Sequence, residues 1–136
     1  MKFNVLVLAS IAIAAFAIPA VAHHSFAMFD ASKTITLQGN IKEFHWTNPH
    51  SWIFLNVADP EGPSKEWAIE LGSPSGLVRQ GWVPKTLTPG MNVKIVIRPL
   101  KDGKPGGQFL AVTLPDGTQL GDPSTSGPRR GGERID

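Results

Sequence analysis

Hydrophobic and polar residues alternate along the chain from residue 34, which is the period of a half-buried β-strand. One face of this predicted strand carries Ile35, Leu37, Gly39 and Ile41. The alternation slips by one residue at Lys42 and Glu43, after which Phe44 and Trp46 take the apolar positions. A slip of this kind is typical of a β-bulge, which bends a sheet.

Four further strands and one short helix follow from alternation and from turn residues. The strands are expected at 51–58, 65–71, 91–98 and 108–114, and the helix at 73–82. Ser73 suits the N-cap of this helix, Pro74 its first turn and Gly81 its exit. The side chains expected to plug one end of the core are Leu77, Val78 and Trp82. In the third strand, the side chains expected to face solvent are Glu66, Ala68 and Glu70.

The order of these elements predicts the fold class. Three strands, a short helix and two strands indicate an all-β domain with one short helix, built as a small OB-like Greek-key barrel. A small β-sandwich is the alternative. Residues 23–120 are assigned to this domain, and 121–136, which contain few apolar residues, are predicted to form a disordered tail.

The first 22 residues have the features of a cleaved signal peptide. Lys2 precedes an apolar run over 5–18, which is shorter than the roughly 20 residues that cross a bilayer. Pro19 ends the run, and Ala20-Val21-Ala22 offers small residues for cleavage. We therefore expect a bacterial protein that is periplasmic or secreted, with no membrane span after processing.

Composition narrows the chemistry. The formal net charge is only +2, from 13 basic and 11 acidic residues, so no basic face for nucleic acid is predicted. The absence of cysteine excludes disulfides, thiolate metal sites and cysteine nucleophiles. Serine, carboxylate and glycine motifs lack the spacing of hydrolases or nucleotide enzymes. We expect a protein that is not an enzyme and has no catalytic residues.

The histidines are the most informative feature. Cleavage after Ala22 makes His23 the first residue, so its α-amine and imidazole form a chelating pair beside His24. His45 and His50 flank a predicted turn and complete the set. Nitrogen donors of this type suit copper, nickel or zinc, and copper is the expected cofactor if there is one. The alternatives are an exposed N-terminal arm, an exposed strand residue and a turn residue bonded to backbone.

Aromatic residues beside the turn define a second candidate site. Trp46, Asn48 and Trp52 are predicted to form a face for a ligand or partner. The alternative roles are packing in the core for the two tryptophans and turn formation for Asn48.

Two motifs also identify a resemblance. HHSFAMFD at 23–30 and WTNPHSW at 46–52 resemble an uncharacterised family of small exported bacterial proteins that contain a domain of unknown function. The resemblance implies a secreted, single-domain protein without an established activity, and it supplies no site residues.

These observations predict a periplasmic binding module that holds copper or another transition metal and acts as a carrier or accessory protein. The alternative is a metal-free OB-like interaction domain that binds a protein, peptide or glycan. The partner is accordingly a metal ion or a periplasmic protein.

Overall fold

The computed structural model describes residues 26–124. The predicted signal peptide, His23, His24 and the predicted tail beyond Ser124 lie outside the described residues. Within this range a short 3-10 turn, Phe26–Met28, precedes six strands and one helix. They are β1 (Ile35–His45), β2 (Trp52–Asp59), β3 (Gly62–Glu70), α1 (Pro74–Arg79), β4 (Asn92–Pro99), β5 (Gly106–Thr113) and β6 (Gln119–Gly121).

The strands form one sheet in the order β3-β2-β1-β4-β5-β6, and a parallel pairing of β3 with β5 closes the first five into a barrel. The helix lies between β3 and β4 in the chain. This is the closed five-stranded barrel predicted from the element order, and the single closed sheet excludes the sandwich alternative. The short β6 was not predicted. It pairs with β5 outside the closed ring.

The long strand β1 belongs to both sides of the barrel. Its first half, Ile35 to Asn40, pairs with β4, and its second half, Asn40 to His45, pairs with β2. The register with β2 shifts between Ile41 and Glu43, where the sequence pattern predicts the bulge. The bulge lets the inward side of β1 stay apolar on both sides of the bend.

The core follows the predicted alternation. Buried side chains from five strands pack with two from the α1 region: Leu37, Ile41, Ile53, Leu55, Ile69, Val93, Ile95, Ile97 and Val112 with Leu77 and Trp82. The predicted plug is thus confirmed for Leu77 and Trp82. It is wrong for Val78, which is 59% exposed because it lies on the solvent side of the short helix.

The segment before β1 lies along the end of β4. Phe29 forms an isolated bridge with Leu100, and the Asp30 N–H donates to the Pro99 carbonyl at 2.9 Å. The Lys101 N–H in turn donates to the Met28 carbonyl at 3.0 Å. The side chain of Phe29 is buried. The start of the described chain is therefore fixed to the barrel.

Glu70 corrects the prediction for the third strand. Its expected solvent position is wrong, since the residue is only 8% exposed. Glu70 lies opposite Trp52 on one side and opposite Gln108 on the other, where β3 closes on β5. It also lines a cleft together with Phe26 and Phe29, so neighbouring segments shield a position that alternation assigns to water.

Candidate functional site

The turn between β1 and β2 is tied to the segment that follows β3. The Ser51 N–H donates to the Gly72 carbonyl at 3.0 Å, and the Leu71 N–H donates to the Ser51 carbonyl at 2.9 Å. Within the turn, the Thr47 hydroxyl donates to the His50 carbonyl at 2.9 Å, and the Asn48-Pro49 peptide is cis. These bonds hold His50 against the end of β3.

His50 therefore contacts groups from the end of β3. Its Nδ1 lies 3.1 Å from the Leu71 carbonyl oxygen and 3.4 Å from Oε1 of Glu70. The closer contact to a carbonyl, which can only accept, favours the tautomer with the proton on Nδ1. Nε2 then carries a lone pair, and the side chain is one-third exposed. Histidines that bind metals commonly donate their other ring N–H to a carbonyl in this way.

His45 has a different environment. Its Nε2 lies 2.6 Å from Oε2 of Glu43, and its ring meets Phe54 edge-on at a centroid distance of 4.9 Å. Nearly half of the side chain is exposed. His45 and His50 thus contact two different carboxylates.

Strand register explains this separation. Residues directly opposite in adjacent strands point to the same face, and one such outward row crosses the whole barrel. In order across the strands, this outer row consists of His45, Trp52, Glu70, Gln108 and Arg98. Trp52 stands between His45 and Glu70, which are two strand spacings or about 10 Å apart. His45 is therefore remote from the carboxylate that His50 contacts.

Of the four predicted metal ligands, the structure describes His45 and His50. Within residues 26–124, no group of three or more histidine or acidic side chains is arranged to hold a metal ion. His23 and His24 lie outside the described residues. The four-histidine site stays a prediction.

The predicted ligand face is distributed over three environments. Trp46 is half-buried, packs against the core, and meets Phe44 edge-on at 5.8 Å. Asn48 is exposed in the turn. Trp52 is half-buried in the outer row. The structure thus places Trp46 in the packing role, whereas Trp52 lies beside both His45 and Glu70.

A cleft of about 580 Å³ opens beside His50. Its apolar lining is Phe26, Phe29, Leu71, Leu77, Phe109 and Leu110, and its polar side chains are His50, Glu70, Gln80, Gln108 and Asp122. A mainly apolar cleft of this size with a few polar groups is typical of small-molecule sites. Apart from His50, these polar residues were not singled out from the sequence as site residues. No sequence signal identifies them, because the pairing of β3 with β5 and the course of the N-terminal segment bring them together.

Asp122 and Arg98 contribute charges in and next to this cleft. The pKa of Asp122 is lowered by side-chain and backbone hydrogen bonds from Ser124, so this carboxylate is ionised at neutral pH. Arg98, next to Gln108 in the outer row, donates from Nη1 to the Gln108 side-chain oxygen at 3.2 Å. None of the described residues that line the cleft is a lysine or an arginine.

The fold is a small closed barrel of the OB type, with the cleft beside His50 on its side. The chain belongs to a family of unknown function, DUF6152, whose model matches residues 10–109. The expected membership of an uncharacterised family is confirmed in this general form, whereas the bacterial origin and export stay predictions. No curated protein matches the chain in sequence.

Two solved structures of similar shape are both of the mitochondrial single-stranded DNA binding protein Rim1 of S. cerevisiae. One has a TM-score of 0.47 and 10% identity, covering 61% of this chain and 93% of the other. The second, from selenomethionine-labelled protein, has a TM-score of 0.46 and 11% identity, covering 60% of this chain and 92% of the other.

Among residues 26–124, no helix has the length and apolar character needed to cross a membrane.

Proposed function

We propose that the protein is a periplasmic binding module that holds a transition metal ion, copper in the first place, and serves as a carrier or accessory protein rather than an enzyme. The ligands in this proposal are the processed N terminus at His23, with His24 beside it, and Nε2 of His50. His45 is the least suited of the predicted ligands, because it contacts Glu43 and Phe54 on the far side of Trp52.

One observation carries the proposal. Phe26 lines the same cleft as His50 and Glu70, and His23 precedes Phe26 by only three residues. An extended chain covers about 3.3 to 3.6 Å per residue, so three residues limit the separation of the His23 amine from the Phe26 backbone to about 11 Å. This distance supports a shared site with His50, whose Nδ1 bond to the Leu71 carbonyl leaves Nε2 available.

Copper titration of the chain that starts at His23 tests the proposal. We expect His50→Ala, or one extra alanine before His23, to weaken Cu(II) binding by about tenfold or more, since each change removes or displaces a ligand. His45→Ala is the matched control and should leave the affinity within about twofold. Intact mass of protein from the periplasm establishes the cleavage site.

Two results would contradict this assignment. Equal copper affinity with and without the extra alanine would exclude the N-terminal amine as a ligand. Equal losses in His45→Ala and His50→Ala would contradict the choice between the two histidines. Thermal unfolding of each variant confirms that the barrel is intact.

The second candidate is a metal-free interaction domain that binds a protein, peptide or glycan. The half-buried Trp52 favours it, because an aromatic ring on the outer row offers a stacking surface. This function predicts that Trp52→Ala abolishes capture of the partner while the double replacement of His23 and His24 by alanine does not. A pull-down that is indifferent to Trp52 would count against it.

Nucleic acid remains an unfavoured partner. The outward side of β1 to β3 carries Glu43, Glu66 and Glu70, and Lys42 is paired with Glu66 at 2.5 Å. Phosphate binding instead needs accessible basic groups. We therefore expect no shift in the anisotropy of a labelled single-stranded oligonucleotide at low salt, and a salt-sensitive shift would overturn this expectation.

A further inference from the structure

The carboxylate of Glu70 is the unusual group in the cleft. Its side chain is nine-tenths buried, and the apolar residues that line the cleft with it include Phe26, Phe29 and Phe109. A carboxylate has about four acceptor positions, and burial of a charge is costly unless hydrogen bonds or counter-charges replace water. Glu70 therefore requires polar partners inside the cleft.

The described residues supply little of this requirement. His50 Nδ1 lies 3.4 Å from Oε1, but the Leu71 carbonyl is closer to the same nitrogen, at 3.1 Å. In the part of the chain that the structure describes, Oε2 of Glu70 has no hydrogen bond or ion pair. Oxygen acceptor positions of Glu70 are thus available to a donor that enters the cleft.

The remaining lining is suited to a cation with an apolar body. Asp122 adds a second carboxylate, and Gln80 and Gln108 add neutral amides. The apolar walls include the rings of Phe26, Phe29 and Phe109. Aromatic faces attract cations as well as apolar groups. Arg98 lies next to this wall and donates from Nη1 to the side-chain oxygen of Gln108.

We infer that the cleft binds a small organic cation, an ammonium group on an aromatic or aliphatic body, with the charged group at Glu70 and the apolar part against the phenylalanines. This inference goes beyond metal binding and does not depend on it. The volume of about 580 Å³ is in the range that accommodates a small ligand.

Three probes with the same apolar body and different charges test the inference: 2-phenylethylamine, 2-phenylethanol and 3-phenylpropionate. Calorimetric titrations are run on the purified chain in EDTA, so that the result is independent of copper. We expect the amine to bind at least about tenfold more tightly than the alcohol, and the carboxylate to bind least, because Glu70 attracts only the cation.

Two glutamine variants localise the effect. Glu70→Gln should weaken amine binding by about tenfold or more while leaving the alcohol unchanged. Glu66→Gln is the matched control on the same strand and the same outward face, but Glu66 is exposed and paired with Lys42, so amine affinity should not change.

The inference is overturned if the amine does not bind, or if the three probes bind alike. It is also overturned if Glu70→Gln keeps full amine affinity, or if Glu66→Gln loses as much as Glu70→Gln. Failure of the copper proposal would leave these results intact, since every titration is made without metal. Conversely, loss of amine selectivity would not alter the effect of an extra residue before His23 on copper.

Discussion

Gly39 stands where β1 changes its partner from β4 to β2, and no larger residue fits there. A Cβ atom built on Gly39 would lie 2.2 Å from the backbone oxygen of Asn56 and 3.2 Å from Cγ of Leu55. The first contact is to backbone, which cannot rotate away, so Gly39→Ala must push β1 and β2 apart. The two strands must separate by more than 1 Å to restore an ordinary van der Waals contact of about 3.4 Å.

We expect this displacement to destabilise the barrel by about 2 to 3 kcal/mol, as overpacking of a tight core does. In a domain of this size, 1 kcal/mol shifts the melting temperature by about 4 to 8 °C, so the melting temperature should fall by roughly 8 to 24 °C. Urea unfolding followed by tryptophan fluorescence measures the free energy of unfolding directly.

Gly62→Ala at the start of β3 is the control for the glycine-to-alanine change itself. A Cβ at Gly62 meets nothing within 4 Å, so its effect should stay within about 0.5 kcal/mol. Equal stability of Gly39→Ala and Gly62→Ala would refute the claim that close approach of β1 to Asn56 requires glycine at 39.

Other perturbations test separate parts of the fold by urea unfolding. Ser51→Ala should be neutral or stabilise the barrel by up to about 1 kcal/mol, because the buried Ser51 hydroxyl has no hydrogen-bond partner among residues 26–124. Ser73→Ala should instead cost about 1 kcal/mol, because it removes the N-cap of α1. The reverse order of stability of the two variants would contradict both assignments. Leu77→Ala should cost about 2 to 5 kcal/mol as a buried leucine of the core, and a cost under 1 kcal/mol would show that the helix does not close the barrel. Hydrogen bonds from the backbone and the side chain of Thr118 lower the pKa of Asp116 below its ordinary value. The Asp116 carboxylate therefore contributes its full stabilisation of the fold above the ordinary pKa, and this contribution is lost as the pH falls through the lowered pKa. Asp116→Asn should therefore be less stable than the parent at neutral pH but not in strong acid, and a pH-independent difference would exclude this origin.

The sequence predicts the barrel well because local sterics and alternation determine which side of each strand faces inward. The slip at Lys42 and Glu43 predicts the register shift that β1 shows, and Ser73 caps the helix as expected. The bulge and the helix cap are determined by residues that are close together in the chain, so they can be predicted from a single sequence. The last strand, Gln119–Gly121, is too short for alternation to identify it.

The cleft depends on contacts that alternation cannot report. Glu70 is a charged residue at a position where the alternation of β3 predicts exposure to solvent. It is buried because β5, the turn before β2 and the segment before β1 come together there. Likewise, the sequence places His45 and His50 near one turn but does not distinguish their partners. That difference follows from the bonds of Ser51 to the segment after β3, which place His50 near Glu70.

The position of Glu70 couples the proposed copper site to the proposed organic-cation site through electrostatics. A copper ion on His50 and an ammonium group on Glu70 would place two positive charges beside one buried carboxylate. Their repulsion is stronger inside a protein than in water, so each ligand should weaken the other. Thermodynamic linkage requires the two effects to be equal as factors in affinity.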